Sequence, residues 1–183
     1  MRKLLPSFRE HDPDWIGEIK DFLSDPWSYL NSFSYQHSVF FFLVNPQFVF
    51  FGQPSYLLSP SSRRAGDLVN TWIMEIERDF DLILILEELD VSLALLVLKF
   101  CWEVQDVVHL KLNTMKREEN QLEESDFDNL RKFNWADDRL YKYFKGKLQV
   151  EIAKYGHDVV EKIKNEIISE SNRLSNECLD SSY

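Results

Sequence analysis

The run Phe80-Asp81-Leu82-Ile83-Leu84-Ile85-Leu86-Glu87-Glu88-Leu89-Asp90 decides how this chain is read. Five consecutive apolar residues, Leu82 to Leu86, stand between Asp81 and Glu87. A short unbroken apolar run of this kind suits a strand covered on both faces, as in a parallel sheet. Upstream, Leu68, Trp72, Ile73, Ile76 and Phe80 recur at helical spacing and predict an amphipathic helix of about three turns from Asp67. Downstream, Asp90 or Ser92 is placed to cap a helix that carries the apolar stretch to Trp102. Val107-Val108-His109-Leu110-Lys111-Leu112 then reads as a second strand. Helix, strand, helix, strand is the rhythm of a βαβ unit, so the predicted class is α/β, a partial parallel sheet flanked by helices.

Working outward, residues 14–113 form the α/β part. Within it, Asp14 to Leu30 is helical and stopped by Asp25-Pro26, and residues 31–66 read as a partly buried loop ending in a Ser-rich surface turn. Residues 114–125 read as a charged linker. Residues 126–174 form a helical C-terminal region, with 3.6-residue periodicity broken near Gly146 and Gly156.

The 183 residues carry 21 Lys+Arg against 31 Asp+Glu, a formal net charge of −10. That balance argues against nucleic acid or an anionic membrane surface as partner, because both require clustered cations. Val39 to Val44 and Val91 to Trp102 are too short to cross a bilayer, which needs about 20 apolar residues. No signal peptide is read before Pro6. Cys101, inside an apolar run, is expected to be a buried thiol, and Cys178 an exposed one; neither has metal-ligand spacing.

The candidate site is Glu87-Glu88-Leu89-Asp90. Acids just beyond the carboxyl end of a buried strand stand where open parallel sheets bind ligands, and a carboxylate such as Glu87 or Asp90 can accept hydrogen bonds from sugar hydroxyls or act as a general base. The competing reading is a helix cap beside solvated glutamates. His109 reads as a half-buried histidine rather than a ligand, and Arg63-Arg64 as solvated loop residues. Neither a phosphate-binding glycine motif nor a nucleophile elbow is present.

Several blocks, in order, resemble the galactose-3-O-sulfotransferase family, which includes galactosylceramide sulfotransferases. They are Asp21-Phe22-Leu23-Ser24-Asp25-Pro26 with Tyr29; Asn45-Pro46 with Gly52; Phe80 to Leu96; Cys101-Trp102-Glu103 with Asp106-Val107 and Leu110 to Asn113; and Arg131, Asn134, Asp137, Leu140-Tyr141, Phe144 and Gly156. Against the family pattern, Glu88 replaces Tyr and Val91 replaces Glu. Phe50 stands in place of an Asp, His109 of a Tyr, Lys145 of a glycosylated Asn, and Leu148-Gln149 of a Phe-Trp pair.

The resemblance implies a P-loop-type sulfotransferase fold. It implies transfer of a sulfuryl group from 3′-phosphoadenosine-5′-phosphosulfate to the 3-hydroxyl of a galactosyl glycolipid or glycan on the lumenal side of the Golgi membrane, with no metal. Glu87 and Asp90 become acceptor-side residues. The family's donor-binding segments and membrane anchor precede the part matched here, so the chain is expected to be an incomplete domain, inactive alone. Between residues 65 and 106, ten acids face Arg78 and Lys99, a net −8 that suits a neutral sugar better than a polyanionic donor. The alternative expectation is a non-catalytic α/β interaction module derived from the same family.

Overall fold

The computed structural model describes residues 15–31, 44–54, 62–110 and 122–179. They fall into two compact units. The first draws on Met1–Ile76 and Arg117–Leu140, the second on Glu77–Lys116 and Tyr141–Tyr183. Among the described residues there is no strand, so the expected partial parallel sheet is absent and the class is helical.

The run Leu82–Leu86 shows why. Ile85 sits at φ −103°, ψ 118°, within the β region, so the β-branched and bulky residues do extend the chain locally. A sheet needs a second segment to complete its ladder, and none of the described residues provides one. Ile85 instead bonds a side chain: Ser92 Oγ accepts its N–H at 3.0 Å and lies 3.3 Å from its carbonyl oxygen. Residues 107–110 of the second expected strand likewise form no strand, and Lys111 and Leu112 lie outside the described residues.

In the first unit, α1 (Trp15–Ser24) and α2 (Pro26–Asn31) are separated at Asp25, where the expected break falls. Asp25 Oδ1 accepts the Ser28 N–H at 3.0 Å and Pro26 occupies the first helical position, so the same dipeptide that ends one helix starts the next. A short helix, α3 (Pro46–Phe50), lies in the stretch expected to be loop; Phe48 is buried and Phe50 is 80% exposed. Helix α4 (Arg63–Asp79) begins four residues before expected, placing Arg63-Arg64 on its first turn. Ala65, Val69, Trp72, Ile73 and Ile76 form its buried stripe, and Phe48 meets Trp72 at 5.8 Å between ring centroids. Helix α6 (Glu124–Phe133) opens on Asp126 accepting the Glu123 N–H at 2.9 Å, so helix starts within the stretch read as linker; residues 114–121 lie outside the described residues. Phe133 is packed edge-on by Phe22 and Trp27, which joins α6 to α1 and α2.

In the second unit, a 3₁₀ turn (Leu86–Glu88) leads into α5 (Leu89–Phe100). This helix starts before either expected cap: Asp90 is in its first turn, and Ser92 is a buried interior residue. Helix α5 packs against α8 (His157–Leu179), whose Val160, Ile167 and Ser171 share one buried face. Cys101, expected inside, is exposed: it ends α5 at φ 53°, and that left-handed turn carries its side chain outward. Cys178 is exposed as expected.

Helix α7 (Trp135–Tyr155) runs unbroken through Gly146, where a break was expected. The real breaks flank it, at Asn134 and at Gly156, the latter at φ 93°. Gly156 stops the helix because its backbone takes the left-handed conformation; Gly146 stays helical.

Candidate functional site

Glu87 and Asp90 are brought near one another in sequence but to different settings. Glu87 projects from the 3₁₀ turn and is exposed. Asp90, one turn later on α5, is half-buried, with Oδ1 3.9 Å from His109 Nε2. Neither His109 ring nitrogen has a hydrogen-bond partner among the described residues, and both are hidden from solvent. The His109 backbone N–H reaches Ser171 Oγ at 3.3 Å, which fixes this segment against α8. His109 is half-buried, as its sequence setting predicts.

Beside them, three positions that depart from the family pattern come together. Lys145 Nζ stands 3.5 Å from Glu88 Oε1, and Gln149 Nε2 donates to Glu88 Oε2 at 3.4 Å. Lys145 and Gln149 are four apart on α7 and share one face of it. Lys145 also lies 3.2 Å from the Tyr141 hydroxyl, which with Glu88 holds its ammonium above the ordinary lysine range.

One turn along, a group that the sequence reading did not single out gathers on the end of α4. Tyr143 donates its hydroxyl proton to Glu77 Oε2 at 2.5 Å, and Lys147 pairs with Glu77 Oε1. Lys147 and Tyr143 hold the Glu77 carboxyl below the ordinary range, and the same carboxylate pushes Tyr143 and Lys147 upward. The available signal was Tyr143 and Lys147 at i, i+4 on the polar side of α7.

The remaining motif residues serve the scaffold. In the first unit Asn45, at φ 49°, places Oδ1 at 3.0 and 3.2 Å from the N–H groups of Ala136 and Asp137, capping the start of α7. Asp137 answers by accepting the N–H groups of Gln47 and Phe48, at 2.8 and 3.1 Å, at the start of α3. The Asn45 N–H goes to Asn134 Oδ1 at 2.7 Å. Two helix N-termini thus satisfy each other's orphan donors across about ninety residues of sequence. Burial pushes the Asp137 carboxyl upward, against the pull of its two backbone donors.

In the second unit Lys99, Lys145 and Lys147 each face a carboxylate. Among the described residues no group of three His, Cys, Asp or Glu is placed to hold a metal ion, and no helix is long and apolar enough to cross a membrane.

The sequence model of the galactose-3-O-sulfotransferase family matches residues 2–183. The chain is 29% identical over 164 residues to mouse galactosylceramide sulfotransferase, covering 89% of this chain and 37% of that protein. It is 27% identical over 167 residues to the human protein of the same name (91% and 38%), and 30% identical over 148 residues to human galactose-3-O-sulfotransferase 2 (79% and 35%). The chain therefore spans well under half the length of the curated relatives it matches. No solved structure matches it. Because the family's model matches nearly the whole of this chain, the chain belongs to the galactose-3-O-sulfotransferase family.

Proposed function

We propose that the chain supplies the acceptor side of a sulfotransferase that moves a sulfuryl group from 3′-phosphoadenosine-5′-phosphosulfate to the 3-hydroxyl of a galactosyl glycolipid or glycan, on the lumenal side of the Golgi membrane. The observation that carries this reading is the family match over residues 2–183. In such a transfer the hydroxyl oxygen attacks sulfur, the bond from sulfur to the bridging phosphate oxygen breaks, and the hydroxyl proton passes to a base. Glu87 and Asp90 are proposed to accept hydrogen bonds from the sugar. The exposure of Glu87 and the half-exposed position of Asp90 support that role. Lys99, Lys145 and Lys147 of the second unit are each engaged by a carboxylate, and the chain alone is proposed to be inactive.

The test is an assay of this chain with radiolabelled phosphosulfate donor and either galactosylceramide or lactose. No turnover is expected from the chain by itself, and transfer is expected once the unmatched N-terminal part of a relative is supplied. Robust transfer by the chain alone overturns the half-site reading.

A second reading, a non-catalytic interaction module that kept the family scaffold, draws on the joined departures at Glu88, Lys145 and Gln149. Failure of transfer even with the complementing part supplied favours it.

A further inference from the structure

The carboxylates assigned to the acceptor hang on a turn with little packing of its own. None of Leu86, Glu87 and Glu88 is buried in the 3₁₀ turn, and Leu86 is 78% exposed. Within it the Glu88 N–H donates to the Ile85 carbonyl at 3.0 Å. One short turn closed in this way is weak in isolation, so the direction of Glu87 depends on what holds the turn at its two ends.

The first end is fixed from within, because Ile85 is buried and bonded to Ser92. The second end is Glu88. It stands at the N-cap of α5, where a polar side chain ordinarily accepts one of the first helical N–H groups, yet its carboxylate makes no such bond among the described residues. Both of its oxygens turn to α7 instead, Oε1 to Lys145 at 3.5 Å and Oε2 to Gln149 at 3.4 Å. A half-exposed ion pair is ordinarily worth little, since two long side chains must be ordered to make it. Here part of that ordering is already supplied. Lys145 lies 3.2 Å from the Tyr141 hydroxyl and 5.4 Å from the centre of the Tyr141 ring, one turn back on the same helix. The Lys145 charge also offsets one of three carboxylates within residues 87–90, which lowers the repulsion on Glu87 and Asp90.

We propose that Glu88, gripped by Lys145 and Gln149, is the positioning residue of the acceptor site: it holds the turn so that Glu87 keeps one outward direction beside Asp90. Its part in acceptor recognition rests on the sulfotransferase reading above; its hold on the turn does not.

The experiment has two arms, both on the full chain. In the first, the chain complemented with the unmatched N-terminal part of a relative is assayed with lactose and the phosphosulfate donor. Glu88→Ala is expected to raise the KM for lactose about fivefold, with kcat and the donor KM within about twofold of the unsubstituted chain. Lys145→Glu is expected to act in the same way, and combining it with Glu88→Lys to restore the lower KM. Lys99→Gln, which breaks the ion pair between the last turn of α5 and Glu151 of α7, is expected to leave the lactose KM unchanged. An unchanged lactose KM in a folded Glu88→Ala variant, a parallel rise in both KM values, or a double variant no better than the single ones overturns the positioning role. In the second arm, amide hydrogen exchange of the chain alone is followed at residues 85–90. Glu88→Ala should speed exchange at position 88 about fivefold, while the Ile85 amide, bonded to Ser92, keeps its rate. Equal exchange at position 88 in the two chains overturns the hold on the turn. Absence of transfer by the unsubstituted complemented chain overturns the sulfotransferase reading and the recognition role with it, and the exchange arm still decides the turn.

Discussion

The two units place similar side chains in opposite surroundings. In the first, Asn45, Asn134 and Asp137 form a polar cluster in which Asn45 and Asp137 are buried, and their side-chain oxygens accept from backbone N–H groups. In the second, Glu77, Tyr143 and Lys147 bond side chain to side chain, with Glu77 25% and Lys147 44% exposed. One helix, α7, contributes to both: Asp137 near its start and Tyr143 and Lys147 further along. Burial separates the roles. A buried polar group must satisfy a fixed backbone donor or lose several kcal/mol, so it is bound to the scaffold. A half-exposed group can exchange its partner for a ligand at small cost, so it is available for recognition.

The sharpest way to break this contrast is Asn45→Ala. It strips two N–H groups of α7 of their acceptor and forces alanine into a left-handed conformation, so a loss of about 3 kcal/mol is expected in urea unfolding. A loss of less than a third of that would show that the cap is not what holds α3 to α7. Ser92→Ala asks whether the second unit also has a buried polar support. Removing the hydroxyl orphans the Ile85 N–H, at about 2 kcal/mol, with Glu87 and Asp90 untouched in sequence.

Gly146 within α7 and Gly156 just after it should respond with opposite signs. Gly156→Ala, at φ 93°, should cost about 1 kcal/mol, while Gly146→Ala, helical and with open space where its Cβ would lie, should stabilise by about 0.5–1 kcal/mol. Equal effects at the two sites would contradict a helix that continues through one and ends at the other.

The smallest effects lie in the pH dependence, and there too the units are expected to oppose each other. Glu77 has a folded-state pKa below its ordinary 4.5, so its contribution is present above 4.5 and is lost as pH falls through the lowered value. Asp137 has a folded-state pKa above its ordinary 3.8, so its contribution is present below 3.8 and is lost as pH rises through the raised value. Comparing unfolding between pH 3 and 6 in Glu77→Gln and Asp137→Asn reads out the two slopes; slopes of the same sign would end the comparison.

Local signals in the sequence were legible where their chemistry is local. Asp25-Pro26 breaks a helix because proline cannot continue the hydrogen-bond ladder, and the stripe Val69, Trp72, Ile73, Ile76 buries one helical face. The extended backbone at Ile85 was equally readable. The sheet was misread because a strand becomes one only through a partner, and pairing is not a property of five residues. Ser92, read as a cap, is instead the internal partner of Ile85 for the same reason: its hydroxyl goes where an unpaired backbone group needs it. Cys101 was placed inside by the apolarity of its neighbours, yet its left-handed backbone at the end of α5 turns it outward.

The sequence by itself determined the family, the helical periodicities, the acidic character around Glu87 and the breaks at Asp25 and Gly156, because each rests on residue order or on preferences within one turn. Only the tertiary structure decided that Asn45 and Asp137 cap each other's helices, that Glu88, Lys145 and Gln149 meet, and that Glu77, Phe80, Lys147 and Glu151 enclose a cleft. Those groupings join residues tens of positions apart, and their energies depend on burial and hydrogen-bond geometry, which arise only once the helices have packed.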